Sequence, residues 1–225
     1  MSYYNQFAGQ KIGRIEALSD GVFAVALTLL VLEIKVPSSE DAKTELDLLH
    51  SLTPLLPRLL SYFLSFMTIG IFWTGQALQL SYMARYDRNL NWNTLFFLLL
   101  VSLLPFTTAF LGDHVHFKIA IFIYWLNILL LGFMLYIHWN YAWKNNFIEG
   151  ESKMLKAINT AIRKRIIIAQ CLYFFGMLMC FINTYLSIGF IIAVQLNYAF
   201  AFFSGRNLKK KQDDVKAIIK SPPHL

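Results

Sequence analysis

Charge is scarce in this sequence. Asp, Glu, Lys and Arg make up only 15% of its 225 residues, against about 25% in a soluble globular domain. Cysteine is scarcer still. Cys171 and Cys180 are the only two and share one apolar stretch, which excludes a disulfide framework or a CxxC metal site. No HExxH, GxSxG or GxxxxGK[ST] occurs, and no paired carboxylates fall where a buried site would hold them, so an enzyme has little to be built from. His114 and His116 bracket one residue beside Asp113, but this reads as a solvated turn, and no metal site is expected. The N-terminus also lacks the basic region and cleavage site of a signal peptide, so the first apolar stretch is expected to be retained.

What the sequence has in excess is hydrophobic length. Hydrophobic residues make up 57% and aromatics 16%. Six apolar spans are predicted, at about 14–36, 55–80, 90–111, 117–142, 163–184 and 186–204, each long enough to cross a bilayer as a helix. Pro105 is expected to kink the third. Leu46, Leu48, Leu49 and Leu52 suggest a short amphipathic helix inside an acidic 37–53 connection. The longest polar connection is expected at 144–162, and Asn183-Thr184 makes a tight turn. The fold class is therefore all-α, a polytopic membrane protein with one domain over 1–205 and a basic tail over 206–225.

The formal net charge of +7 is unevenly placed. Sixteen of the 20 Lys and Arg precede or open the first span, lie in the 85–88 and 144–165 regions, or fall in the tail; only Lys35, Lys43, Arg58 and Lys118 lie on the other side. The positive-inside rule then puts both termini in the cytoplasm. The bases read as topology and contact with anionic lipid head groups rather than nucleic-acid binding.

The first span is unlike a plain anchor. Arg14, Glu16, Ser19, Asp20 and Gly21 precede an apolar run from Val22 to Leu32, broken by Thr28. A charge near the end of a membrane helix costs on the order of 1–3 kcal/mol and usually has a partner or a task. Val22, Val25, Leu29 and Leu32 form one stripe with Thr28 at its edge, and Asp20 lies roughly opposite. The stripe suits lipid, helix packing or a pore. Asp20 suits either a polar network with Arg14 or a place in the helix dipole, and Arg14 either that network or snorkelling to the interface. The Thr28 hydroxyl suits either an ion or the Ala24 carbonyl. In the second span Trp73 and Gln76 share a face at i, i+3.

Arg14-x-x-x-Leu18-Ser19-Asp20-Gly21 resembles the RxxxFSDG signature of the transmembrane protein 175 family of potassium channels, with Leu18 in place of Phe. The following AVALTLLVLEIKVP is similar to its bacterial members, and the resemblance extends over roughly 10–205. It implies a homotetramer in a bacterial plasma membrane, with K+ as permeant ion and no cofactor. Four copies of the first helix would surround the axis, with Val25, Leu29 and Leu32 as the nearest rings and Thr28 close by. It also implies a structural polar network of Arg14, Ser19, Asp20, Gly21, Trp73 and Gln76. The family has a His after the Trp, where this chain has Gln76 or Ala77; an amide can bridge but cannot titrate. The TVGYG carbonyl filter is absent, so first-helix side chains are the remaining candidates for selection. A secondary transporter and a non-conducting membrane scaffold are the alternatives. Saturable, proton-coupled flux would mark the first, and oligomers without flux the second.

Overall fold

The computed structural model describes residues 12–36, 44–150 and 152–203. The 206–225 tail, Pro37 and the acidic residues Glu40 and Asp41 lie outside them. Within these residues the chain is helical apart from short turns and one isolated β-bridge. The helices are α1 (Ile12–Leu32), α2 (Glu45–Leu52), α3 (Leu56–Ser81), α4 (Arg88–Ser102), α5 (Leu104–Asp113), α6 (Lys118–Lys144), α7 (Ser152–Leu178) and α8 (Thr184–Phe203). Five apolar helical runs are long enough to cross a membrane, α2–α3 and α4–α5 each counting as one. The apolar stretch Thr184–Ala199 of α8 is shorter.

Local chemistry sets these boundaries. Thr44 and Asp47 form a reciprocal capping box at the start of α2 (3.1 and 3.0 Å). Asp87 caps α4 by accepting from the Leu90 N–H at 2.8 Å, and Asn183 does the same for α8 through the Tyr185 N–H at 2.8 Å. The third span is broken at Leu103. Pro105 has no N–H to return to the Val101 carbonyl, so the chain restarts as α5 with Pro105 in its first turn.

The 144–162 connection is shorter than its composition suggested. Its second half is helical, because α7 begins at Ser152. Leu155, Ile158 and Ile162 recur at i, i+3, i+7 and pack on a cluster with Leu80, Met83, Tyr86, Leu90, Trp139 and Ile148. The polar residues between them occupy the outer side of an amphipathic helix rather than a loop. The 82–84 turn and 147–149 pair across this end of the bundle, Ala84 N–H to Phe147 O at 2.8 Å and Glu149 N–H to Tyr82 O at 3.3 Å.

The main core runs through the middle of the bundle, with Phe23, Leu64, Phe72, Phe97, Tyr124 and Leu131 among its members. It also contains polar staples. Thr108 donates to Ser65 at 2.6 Å, Ser65 to the Tyr124 hydroxyl at 3.2 Å, and the Gln195 amide to Thr68 at 2.6 Å. Thr68 and Tyr124 share a further bond of 2.9 Å. Four helices are thereby joined at a depth where no water competes. At the opposite end from the 82–84 turn, Arg58 and Asp113 form an ion pair at 2.7 Å. Gly112 sits beneath it. A Cβ there would stand 2.7 Å from Ser61 Oγ and 3.3 Å from Arg58 Cα, so the close approach of α3 and α5 needs glycine.

Candidate permeation helix and its polar anchor

α1 turns one narrow face into the bundle. Ser19, Phe23, Ala26 and Leu30 are buried, and their spacing of 4, 3 and 4 is that of a single helix face. Phe23 meets Phe97 of α4 with ring centroids 6.0 Å apart, and Phe97 meets Phe72 of α3 at 6.3 Å. This aromatic tier fixes how far α1 stands from its neighbours. The other side of α1 is open. Val25, Leu29 and Leu32 are 57%, 41% and 70% exposed, and Leu30 is 0% exposed. Thr28 is on the open side too, with its hydroxyl against the Val25 and Ala24 carbonyls at 2.9 and 3.1 Å. A hydroxyl donates one hydrogen, so its lone pairs stay available on that face.

Two hydrogen bonds hold α1 to α3. The Trp73 indole N–H donates to Asp20 Oδ1 at 2.8 Å. The Gln76 amide donates to Ser19 Oγ at 3.2 Å. Ser19 and Gln76 are each 3% exposed, whereas Asp20 and Trp73 form the outer bond at the rim of a small cavity that Glu16, Ala77 and Leu80 help to close. Adjacent residues on α1 are thus bound to residues three apart on α3, which blocks both rotation and sliding of α1.

The structure brings four of the six expected network residues together and leaves two apart. Arg14 does not reach Asp20 in one chain: among the described residues no ion pair or hydrogen bond joins them. Helix geometry is the reason. Six residues turn the helix by about 600°, a net 120°, whereas Arg14 and Leu32 are five full turns apart and point the same way. Arg14 therefore shares the open face with Leu32. Gly21 is on that side as well, with nothing within 4 Å of where a Cβ would stand. Sequence reasoning passed over Phe23 as a positioning residue, although its 3–4 spacing from Ser19, Ala26 and Leu30 carried the signal. Its partner Phe97 had no sequence signal at all. The histidines of the 113–116 turn go to separate neighbours, His114 stacking on Phe110 at 4.7 Å and His116 edging Tyr185 at 5.7 Å.

These features define a class: an α-helical, multi-pass membrane protein whose first helix is sparsely packed, firmly anchored to α3, and aliphatic on its open side. Residues 14–105 match the TMEM175 family, described as endosomal/lysosomal potassium channel TMEM175. The chain is 35% identical over 188 residues to a potassium channel of Chamaesiphon minutus, covering 81% of this chain and 91% of that one. It is 31% identical over 188 residues to a potassium channel of a Chryseobacterium species, covering 82% and 90%. The crystal structure of a lysosomal potassium-selective channel TMEM175 homolog from Chamaesiphon minutus matches with a TM-score of 0.74 at 32% identity, over 84% of this chain and 97% of that one. The chain belongs to the TMEM175 family, a family of ion channels rather than enzymes, and stands with its bacterial members.

Proposed function

We propose that the protein is a potassium-selective cation channel, a homotetramer in which four copies of α1 surround the conduction axis. The observation that carries this reading is the division of α1 into two faces. One is bolted to α3 and packed on Phe97, and the other leaves Val25, Leu29 and Leu32 uncovered in the single chain. A lone helix encloses no path, and rotational symmetry supplies the missing walls. The names of the bacterial relatives support potassium as the permeant ion.

In this arrangement Val25, Leu29 and Leu32 form successive aliphatic rings. Water leaves such a constriction readily, which makes it a gate by dewetting. An ion passing it sheds part of its hydration shell and gains few ligands in return. Potassium gives up its shell at lower cost than sodium, so selectivity follows from dehydration, and the Thr28 oxygens offset part of that cost. Arg14, on the same helix face but beyond the rings, is placed to pair with Asp20 of a neighbouring copy and so to complete the polar network between subunits. The membrane is the bacterial plasma membrane with both termini cytoplasmic. Arg85, Arg88, Lys144 and Lys156, at the end of the bundle where α1 begins, then face anionic head groups.

Purified protein in liposomes tests the reading through potassium, sodium and caesium flux. Val25→Ala and Leu29→Ala should raise flux and lower the potassium preference, and Asn at either position should hydrate the gate. Leu30 is fully buried, so Leu30→Ala would leave a cavity; Leu30→Met, which conserves volume, is the control. Altered permeation in Leu30→Met with unchanged permeation in the Val25 and Leu29 variants would remove α1 from the axis.

A further inference from the structure

The guanidinium of Arg163 has no counter-charge. Arg163 is half-buried on α7 and packs against α6, its guanidinium carbon 5.9 Å from the centre of the Tyr136 ring. Its Nη2 donates to Asn140 Oδ1, and its Nε is buried with no acceptor. A guanidinium carries a full charge and five N–H donors. Among the described residues it makes this one hydrogen bond, to a neutral amide. The single ion pair among those residues, Arg58–Asp113, lies at the other end of the bundle. Taking a charge partly out of water without a partner is costly. Tyr136 and Asn140 are one turn apart on α6, so α6 holds the guanidinium in place but does not neutralise it.

The same hydrogen bond orients the amide. A guanidinium only donates, so the Asn140 oxygen faces it. Asn140 Nδ2, on the same amide carbon, makes no bond among the described residues. Donors from two helices thus stand side by side, as an anionic oxygen group needs. The surface below them is apolar. Ile167 and Phe174 follow Arg163 on α7, within about 40° of it around the helix, and both are exposed. Phe133, three residues before Tyr136 on α6, is exposed too. Trp125 of α6 meets Phe174 with ring centroids 5.6 Å apart. Arg163 to Phe174 spans about 16 Å of helix, close to half the roughly 30 Å hydrocarbon core of a bilayer. A free phosphate uses none of that length, and an acyl chain uses all of it. Exposed Lys164 and Arg165 flank the site and repel the ammonium of a zwitterionic head group.

We propose that the groove between α6 and α7 at Arg163 holds one phospholipid with a singly anionic head group. Its phosphate lies against the guanidinium and Asn140 Nδ2, and one acyl chain runs along Ile167 and Phe174. The site rests on the head-group contact proposed above for this end of the bundle and makes it local. Native mass spectrometry of the full chain in detergent tests it, with phosphatidylglycerol and phosphatidylcholine of matched chains. Phosphatidylglycerol should bind at about tenfold lower concentration. Arg163→Gln should abolish that preference, whereas Lys164→Gln, an equal loss of charge one residue away, should change it by about twofold at most. Asn140→Asp supplies the missing counter-charge from the protein, so it should lower phosphatidylglycerol binding about tenfold while the unfolding temperature holds or rises. If Arg163→Gln fails to fold, Asn140→Asp decides. Equal losses in Arg163→Gln and Lys164→Gln would overturn the site and leave only diffuse head-group contact, whereas no preference in the unaltered protein would remove both. Unaltered binding in Asn140→Asp, or displacement of the lipid by excess inorganic phosphate, would also overturn the proposal.

Discussion

Trp73→Phe removes one hydrogen bond from the anchor of α1 and leaves most of the ring packing. The bond it removes is short, 2.8 Å, and its acceptor is a carboxylate. Hydrogen bonds to charged groups contribute roughly 1.5–3 kcal/mol. Trp73 is 44% exposed and Asp20 is exposed, so solvent competes and about 1.5 kcal/mol is the appropriate figure. That corresponds to about a tenfold shift in the equilibrium between docked and undocked α1. Asp20→Asn keeps an acceptor but drops the charge, so a smaller loss of about 1 kcal/mol is expected. The double variant should fall well short of the sum, because both changes act on one bond. Thermal unfolding in detergent measures the stability terms, and potassium flux in liposomes reports whether a loosened α1 raises leak. Trp73→Leu separates bond from ring, since it removes both and should cost more than Trp73→Phe. Wild-type stability in Trp73→Phe together with additive effects in the double variant would refute the anchor.

Three further expectations rest on other contacts. Gly112→Ala should push α3 and α5 apart and destabilise the protein by about 1–3 kcal/mol, and Ser61→Ala should recover part of that loss by removing the oxygen 2.7 Å from the new Cβ; a silent Gly112→Ala in thermal unfolding would argue against the close approach. Gln79 accepts from buried His138 Nδ1 at 3.0 Å and donates to the Leu135 carbonyl at 3.1 Å, so Gln79→Leu strands both and should lower stability by about 1–3 kcal/mol, again read by unfolding. With Cys171 and Cys180 replaced, Glu45→Cys should react with an impermeant thiol reagent from outside intact cells and Lys156→Cys only after lysis; reaction of Lys156→Cys from outside would invert the topology.

The sequence by itself determined what can be read along one helix. Apolar length marked the membrane spans, Pro105 marked the break in the third, and the 3.6-residue period sorted the stripe of Val25, Leu29 and Leu32 from Leu30. The i, i+3 spacing of Trp73 and Gln76 was equally plain, because residues on one helix have relative positions fixed by its pitch. Distances between helices have no such rule. That Trp73 reaches Asp20 while Arg14 does not depends on how α1 is rotated against α3, and packing sets that rotation. The charges of 144–162 hid a helix, since the partners that bury Leu155, Ile158 and Ile162 come from α3, α4 and α6 and leave no mark in the local pattern. Phe97 behind Phe23, and the hydrogen bonds that join Gln195, Thr68 and Tyr124 in the core, became visible only with the tertiary structure. Whether a buried polar atom finds a partner is a property of everything around it in space, and only the assembled bundle decides that.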